Sequence, residues 1–272
     1  MLDEGEENAA EFLVDLAEKL AEALAKYQEK QDASNDYAIA ALVELIRTSQ
    51  SEDTIWRAIR SLGKIGQRND IAIAVLADLI GISQSKDTCL RAIWSLGEIG
   101  QGNDSAIAAL VELIGNYPSQ HIRRLAARSL EKIGQGNDTA IAALVKLIEV
   151  PYQSKNIHRQ AVKSLGEIGQ GNDTAIAALI ELIGNYPPKD ICTQAIRSLG
   201  KIGKGNETAI AALVELVGKT QSENTRKRAA ESLGKIAPGN EKAIAALEEL
   251  LANSSNEETR RVTEQALKQI AV

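Results

Sequence analysis

The chain has 272 residues, and its 31 basic and 37 acidic side chains give a formal net charge of −6. Hydrophobic residues make up 44% of the sequence, whereas aromatic residues make up 3%. No stretch approaches the roughly 18 apolar residues of a membrane span. Two Cys and two His are too few for a disulfide framework and leave little material for a zinc site. A core this poor in rings has to be built from Ala, Leu, Ile and Val, which suits close-packed helices.

Residues 1–34 form the first predicted element. Leu13, Leu16, Leu20, Leu24 and Tyr27 fall on one face of a helix with Glu and Lys outside, which favours an acidic amphipathic helix that caps the rest of the chain. Four of these positions also fit the a and d places of a heptad, so a homodimer through this helix is the alternative. The acidic start has no features of a secretory signal or transit peptide. With only two Cys, this indicates a cytoplasmic protein.

Residues 35–272 contain seven copies of one motif. The units start at 35, 69, 103, 137, 172, 206 and 240, and Ser-Leu recurs at 61, 95, 129, 164, 198 and 232. The spacing is 34 residues except in the fourth unit, where one extra residue falls between Ile148 and Ile157. A fixed period of this length is typical of a repeat array. Residues 1–34 have a net charge of −7 and the array a net charge of +1.

Each unit is predicted to hold two helices. The first follows an Asn N-cap, as at Asn137, and is apolar almost all round, which predicts a helix packed between neighbours. The second carries one buried stripe of the type Ala58, Leu62 and Ile65. The Gly66 column is predicted to end this helix in the left-handed conformation that is usual there. Two short helices cannot bury a core alone, so the units are expected to stack.

The seventh unit departs from this pattern. Glu248, Thr263 and Glu264 stand where the other units carry apolar residues. Polar residues in columns that face a neighbouring unit predict a capping repeat, with no eighth unit stacked on it.

The run Ala-x-x-Ser-Leu-Gly-x-Ile-Gly at 58–66, 92–100, 161–169 and 195–203 resembles the short HEAT-like repeat of phycobilisome lyases. The block 164–179 is similar to HEAT arrays of cyanobacterial proteins, including arrays attached to NACHT-type signalling NTPases. The resemblance implies an all-α, right-handed α-solenoid of seven two-helix repeats, with the second helices on its concave face. Near-identical repeats behind an Ala/Glu/Lys/Leu-rich segment also fit an engineered protein.

The face of the second helices opposite the buried stripe is expected to bind a partner, because basic residues outnumber acidic ones there although the chain is acidic. Both Trp of the chain lie on this face beside Arg residues, as in binding hot spots. The alternative is that each Trp lies flat over a neighbouring side chain and fills a groove. The predicted partner-binding residues are Trp56, Arg57, Arg60, Leu90, Arg91, Trp94, Arg124, Leu125 and Arg128.

No catalytic site, metal site or cofactor is predicted. His121 and His158 fall in different columns and lack carboxylate or Cys companions at ligand spacing. Cys89 and Cys192 occupy the same column three units apart, which places their sulfurs about 30 Å apart at about 10 Å per helix layer. The sequence therefore favours a non-enzymatic scaffold for a protein or an extended peptide, with an acidic partner preferred and no membrane contact.

Three other hypotheses stay open at this point. A HEAT-like nucleic-acid-binding protein of the DNA glycosylase type would use Trp56, Trp94, Asp53 and Asp87, but a sequence pI of about 5.2 argues against it. An engineered self-assembling scaffold fits the regularity of the repeats. A phycobilin lyase subunit is the least favoured, because such proteins diverge more along the array.

Overall fold

The computed structural model describes residues 35–82, 85–149, 154–185 and 187–271. Within these ranges the chain is helical and contains no strand. The predicted capping helix at 1–34 and its dimer contact lie outside the described residues. The helices, in chain order, are α1 (35–48), α2 (Glu52–Ile65), α3 (Asp70–Ile82), α4 (Lys86–Ile99), α5 (Asp104–Asn116), α6 (Gln120–Ile133), α7 (Asp138–Glu149), α8 (Lys155–Ile168), α9 (Asp173–Gly184), α10 (Lys189–Ile202), α11 (Glu207–Lys219), α12 (Glu223–Ile236), α13 (Glu241–Asn253) and α14 (Glu257–Ile270).

The helices are arranged in consecutive pairs that form an α-solenoid. Odd-numbered helices are the first helices of the units and even-numbered helices are the second. From α4 to α12, each second helix packs on the first helix of its unit and on the second helices before and after it. The second helices contact one another more extensively than the first helices do. In a curved stack the more closely spaced layer lies inside, so the second helices line the concave side.

The core is continuous along the array and aliphatic. In the fourth unit Ala161, Leu165 and Ile168 are fully buried, and the equivalent residues of neighbouring units are buried with them. The first helices bury Ala, Ile and Leu in the same way, as Ala140, Ile141 and Leu144 show in α7. Apolar burial on this scale is the dominant stabilising term, since no unit could bury these faces alone. The predicted Ala–Leu–Ile stripe is confirmed.

The Asn at the start of each unit joins that unit to the one before it. The side-chain oxygen of Asn172 accepts a hydrogen bond from the backbone N–H of Ala175 at 3.0 Å, which is the predicted N-cap. Its side-chain nitrogen donates to Oδ1 of Asp138 in the preceding unit at 3.0 Å. The same pair of bonds recurs at Asn103, Asn137 and Asn206. We call this series the asparagine ladder.

Replacing Asn172 with Ala should destabilise the array by about 1–2 kcal/mol, because the cap is lost together with the bond to Asp138. Asn172→Ser keeps an oxygen that can cap α9 but has no amide to reach Asp138, so it should lose less. Urea denaturation followed by circular dichroism measures both. Equal losses in the two variants would contradict a separate contribution from the link between units.

The glycines that end the second helices are not left-handed, so that prediction is wrong. Gly100 has φ −88°, but a Cβ there would lie 2.6 Å from the Cβ of Ala106. Glycine avoids this clash where the next helix approaches so closely, whereas the sixth unit holds Ala237 in the same column with a different backbone angle, φ −113°. The left-handed residue stands two positions later, at Gly102 with φ 69°. That conformation aims the backbone N–H of Gly102 at the carbonyl of Ile133, 3.1 Å away at the end of the following second helix.

A seam of Gly and Ser lets the second helices approach one another. A Cβ at Gly97 would lie 2.7 Å from Oγ of Ser129, and the same contact recurs between Gly166 and Ser198. Each Ser of the seam is buried and donates its hydroxyl to a backbone carbonyl of the preceding layer, as Ser129 does to Ile93 at 3.1 Å. The seam fixes both the spacing and the register of the concave layer.

The last unit combines a polar outer surface with a satisfied interior. Glu248 and Glu264 are exposed. Thr263, however, is fully buried, and its hydroxyl donates to the carbonyl of Thr259 at 2.8 Å. Thr263 thus keeps the buried place of the Ala58 column, because its hydroxyl bonds within its own helix, whereas Glu248 and Glu264 make the outer surface polar.

Candidate functional site

Trp94 is the most exposed large apolar side chain on the second helices that the structure describes, with 47% of its surface accessible. It lies on α4, on the side opposite the buried residues Ala92, Ile93 and Leu96. An open cavity of about 280 Å³ adjoins the ring and is lined by Arg60, Leu90, Arg91, Trp94 and Ser95. Four of the predicted partner-binding residues thus meet at one place, across the boundary between the first two units.

The floor of this cavity is rigid. Ser95 is buried and donates its hydroxyl to the carbonyl of Ile59 at 3.1 Å. Leu90 is half-buried and packs against the core. On the side of the third unit, Nζ of Lys132 lies 5.9 Å from the centre of the Trp94 ring. The cavity therefore presents an apolar floor and an aromatic wall between cations.

Trp56 differs from Trp94 in its environment. It is half-buried, and its indole nitrogen donates to the Thr88 hydroxyl at 3.1 Å. The guanidinium carbon of Arg91 lies 4.5 Å from the centre of the Trp56 ring, which is cation–π geometry. Trp56 therefore fits the alternative in which the ring fills a groove, here the groove between α2 and α4. Its contact holds Arg91 at the edge of the Trp94 cavity.

The other predicted site residues lie on the same face but not in the cavity. Arg57 forms an ion pair with Asp53 at 2.9 Å within α2. Arg124 is exposed beside His121, at 3.3 Å from its ring nitrogen. Leu125 is half-buried against the core, and Arg128 is exposed. Arg124, Leu125 and Arg128 extend the face into the third unit.

The positive charge of this face is only partly neutralised. Lys132 pairs with Glu98, Lys163 with Glu131 and Lys201 with Glu167, each across adjacent layers. In contrast, six exposed arginines on the second helices from α2 to α10 have no carboxylate within ion-pair distance among the described residues. We call this set the arginine row; it comprises Arg60, Arg91, Arg124, Arg128, Arg159 and Arg197.

The face continues into a second open cavity that sequence reasoning missed. It measures about 610 Å³, and Lys155, Arg159, Lys189 and Arg197 contribute its cationic lining. One carboxylate stands among them: Asp190 pairs with Lys155 at 3.1 Å, and this neighbour lowers the pKa of Asp190. Lys155 and Lys189 begin α8 and α10, as Lys86 begins α4, whereas the remaining units have Glu or Gln at this position. That substitution was the available signal.

The described residues offer little for catalysis. They contain no group of three His, Cys, Asp or Glu placed to hold a metal ion. Cys89 and Cys192 are free, and burial raises the pKa of both thiols, so neither is an activated nucleophile. No described helix is both long and apolar enough to traverse a bilayer.

The family model for HEAT repeats matches residues 81–155, 152–222 and 187–268. The chain belongs to the HEAT-repeat family. This confirms the predicted resemblance, and HEAT repeats typically mediate protein interactions. None of the curated proteins matches the HEAT array in sequence.

Two solved structures are similar to this HEAT array at low sequence identity. YibA of Escherichia coli is 16% identical, with 86% of this chain and 81% of that chain covered and a TM-score of 0.54. Human deoxyhypusine hydroxylase, solved in complex with glycerol, is 17% identical over 88% of this chain and 98% of that chain, with a TM-score of 0.41. At these identities the comparison with YibA supports the fold alone.

Proposed function

We propose that the chain is a non-enzymatic scaffold that binds an extended, acidic peptide segment of a protein partner along its concave face. The observation that carries the proposal is the cavity beside Trp94, where an exposed aromatic ring stands between Arg60 and Arg91. Exposed aromatic and Arg side chains around a pocket are typical of the centre of a protein interface. The two free Cys residues fit a reducing, cytoplasmic setting.

The arginine row supports a repetitive mode of recognition. Guanidinium groups bind carboxylates with two parallel hydrogen bonds, and the first five units each contribute at least one such group. Helix layers are about 10 Å apart, and an extended peptide advances about 3.3 Å per residue. A carboxylate at every third residue would therefore keep pace with the arginine row, while an apolar side chain of the peptide would occupy the Trp94 cavity.

The carboxylates on the same face favour a peptide over nucleic acid. Glu98, Glu131 and Glu167 lie between the basic residues. A polyphosphate backbone would meet this alternation with a continuous line of negative charge. A peptide can place its acidic residues opposite arginines alone and its neutral residues opposite glutamates.

A fluorescein-labelled peptide with Glu at every third residue and one central Leu should bind, as measured by fluorescence anisotropy. Raising NaCl from about 50 to about 500 mM should weaken binding on the order of tenfold, because the contacts are exposed and screened. Arg128→Glu should weaken binding by a similar factor. Glu167→Gln combined with Lys201→Gln is the matched control, because it removes an ion pair without changing the net charge, and it should bind as the wild type does.

A single-stranded oligonucleotide of equal charge tests the alternative in the same assay. Tighter binding of the oligonucleotide than of the peptide, with a steeper loss in salt, would favour a nucleic-acid-binding protein. Peptide binding that is indifferent to Arg128→Glu would contradict the assignment of the arginine row.

A further inference from the structure

A groove in the layer of first helices borders the cavity of about 610 Å³ at Lys189 but is otherwise distinct from the features above. It measures about 500 Å³ and lies between α9 and α11, the first helices of the fifth and sixth units. Ile180, Ile183, Ala212 and Leu216 form its walls, and the Cys192 thiol of α10 lies at its floor. Of the successive first-helix pairs from α3 to α13, α9 and α11 contact each other least.

The internal repeat explains why the groove opens at this layer. The column of Cys192 holds a long polar side chain in several units, and that side chain reaches the end of the first helix. Arg123 donates to the carbonyl of Ile114 at 2.8 Å, Arg226 to that of Thr220 at 2.7 Å, and Arg260 to that of Leu251 at 3.1 Å. Cys192 is too short to do this, so the described residues leave a cavity there.

The residue that follows the first helix of the next unit can also fill this space, as Tyr117 does beside Cys89. The other Cys of this column, Cys89, is fully buried because Tyr117 follows α5 and places its phenol beside the thiol. Tyr117 is half-buried and packs against the core. The residue equivalent to Tyr117 above Cys192 is Thr220. Cys192 and Thr220 are both short and leave a cavity between them. At the equivalent place three units earlier, the ring of Tyr117 occupies this space.

We propose that the groove between α9 and α11 binds a tyrosine side chain presented by a protein partner. The ring would lie between Ile180 and Leu216, and its hydroxyl would face Cys192, as Tyr117 faces Cys89. Glu215 and Lys219, which pair at 2.7 Å, stand at the rim and can contact the peptide backbone. Because burial raises the pKa of Cys192, the thiol stays protonated at neutral pH and the binding is non-covalent.

The reactivity of Cys192 with an aromatic disulfide reagent (DTNB) reports occupancy of the groove. N-acetyl-tyrosinamide is the probe, and a ligand of this size is expected to bind with a Kd on the order of 1 mM. At saturation it should slow the reaction about fivefold or more, because the ring shields the sulfur. N-acetyl-leucinamide should not do so. Cys192→Ala verifies that the signal comes from this thiol, since Cys89 is buried.

Two variants interchange the residues that lie beside the two Cys side chains, placing Tyr near Cys192 and Thr near Cys89. Thr220→Tyr supplies the ring in cis, so Cys192 should react slowly without probe and show no further slowing with it. Tyr117→Thr should make Cys89 reactive and let the probe protect it. Circular dichroism checks that both variants are folded, and either one alone tests the site.

Unchanged Cys192 reactivity in wild-type protein at saturating probe would overturn the proposal, as would equal protection by the leucine analogue. Probe protection of Cys192 that persists undiminished in Thr220→Tyr would place the binding elsewhere and also overturn it. Protection that rises with protein concentration alone and disappears in Tyr37→Ala would replace the partner by a second copy of the chain, since Tyr37 is exposed.

Discussion

Trp94→Ala is expected to weaken binding of the acidic peptide about 30-fold while changing the melting temperature by less than about 2 °C. The binding loss corresponds to about 2 kcal/mol, the size of a hot-spot residue. The ring is 47% exposed, and no described residue is hydrogen-bonded to its indole nitrogen. Truncation therefore removes the wall of the cavity and little of the core. Peptide anisotropy and differential scanning calorimetry measure the two effects.

Trp56→Ala is the matched control and should lower stability more, and peptide affinity less, than Trp94→Ala does. It removes the hydrogen bond to Thr88 and the aromatic face under Arg91, so about 2 kcal/mol of stability should be lost from a half-buried ring. Binding should fall less than in Trp94→Ala, because Arg91 is still present at the cavity, although the Trp56 ring no longer restrains it. The double variant should combine both losses. If Trp94→Ala binds the peptide as tightly as the wild type, the cavity is not the binding centre.

Gly166→Ala is expected to destabilise the array by about 2 kcal/mol, a large effect for a single methyl group. The added Cβ would lie 2.5 Å from Cβ of Ser198 and 2.8 Å from its Cα. Ser198 cannot move aside easily, because its hydroxyl donates to the carbonyl of Val162 at 2.8 Å. The strain has to separate α8 from α10, and it exceeds the better helix propensity of Ala.

The control for this prediction has the opposite sign. Gly115 lies in α5, is exposed, and has no atom within 4 Å of an added Cβ. Gly115→Ala should therefore stabilise the protein by about 0.5 kcal/mol through helix propensity. Chemical denaturation of the two variants side by side distinguishes the cost of the clash in the Gly–Ser seam from the gain in helix propensity. Stabilisation by Gly166→Ala would show that the seam is not tightly packed.

The repeat made the fold predictable, because each error in reading one unit is averaged over the others. Asn caps, the Ala–Leu–Ile stripe and the helix pairs are all periodic and were predicted correctly. The role of the Gly100 column was predicted wrongly. Gly is found both in left-handed turns and where two helices approach closely, and the sequence pattern is the same in the two cases. Only the contact with Ala106 separates the two causes.

The site was less predictable because it depends on what breaks the repeat. The sequence placed Trp56 and Trp94 on one face, but their burial differs because Thr88 and Arg91 of the next layer happen to fit the Trp56 ring. Neutralisation of Lys132 and Lys201 by glutamates of the preceding layer likewise depends on contacts across units. The repeat pattern identifies the basic residues of this face, but it does not show which of them form ion pairs with glutamates.

The parallel stacking of the second helices has an electrostatic consequence beyond their side chains. Bonds between successive second helices keep the same small offset from layer to layer, as Ser129 with Ile93 and Ser164 with Ala127 show, so the second helices run parallel and their dipoles all point the same way. At one edge of the stack the negative helix ends are met by backbone N–H groups such as that of Gly102. The opposite edge, where Lys155 and Lys189 begin α8 and α10, gathers the positive ends. An approaching anionic chain would thus be drawn toward one margin of the concave face and arrive in a defined orientation.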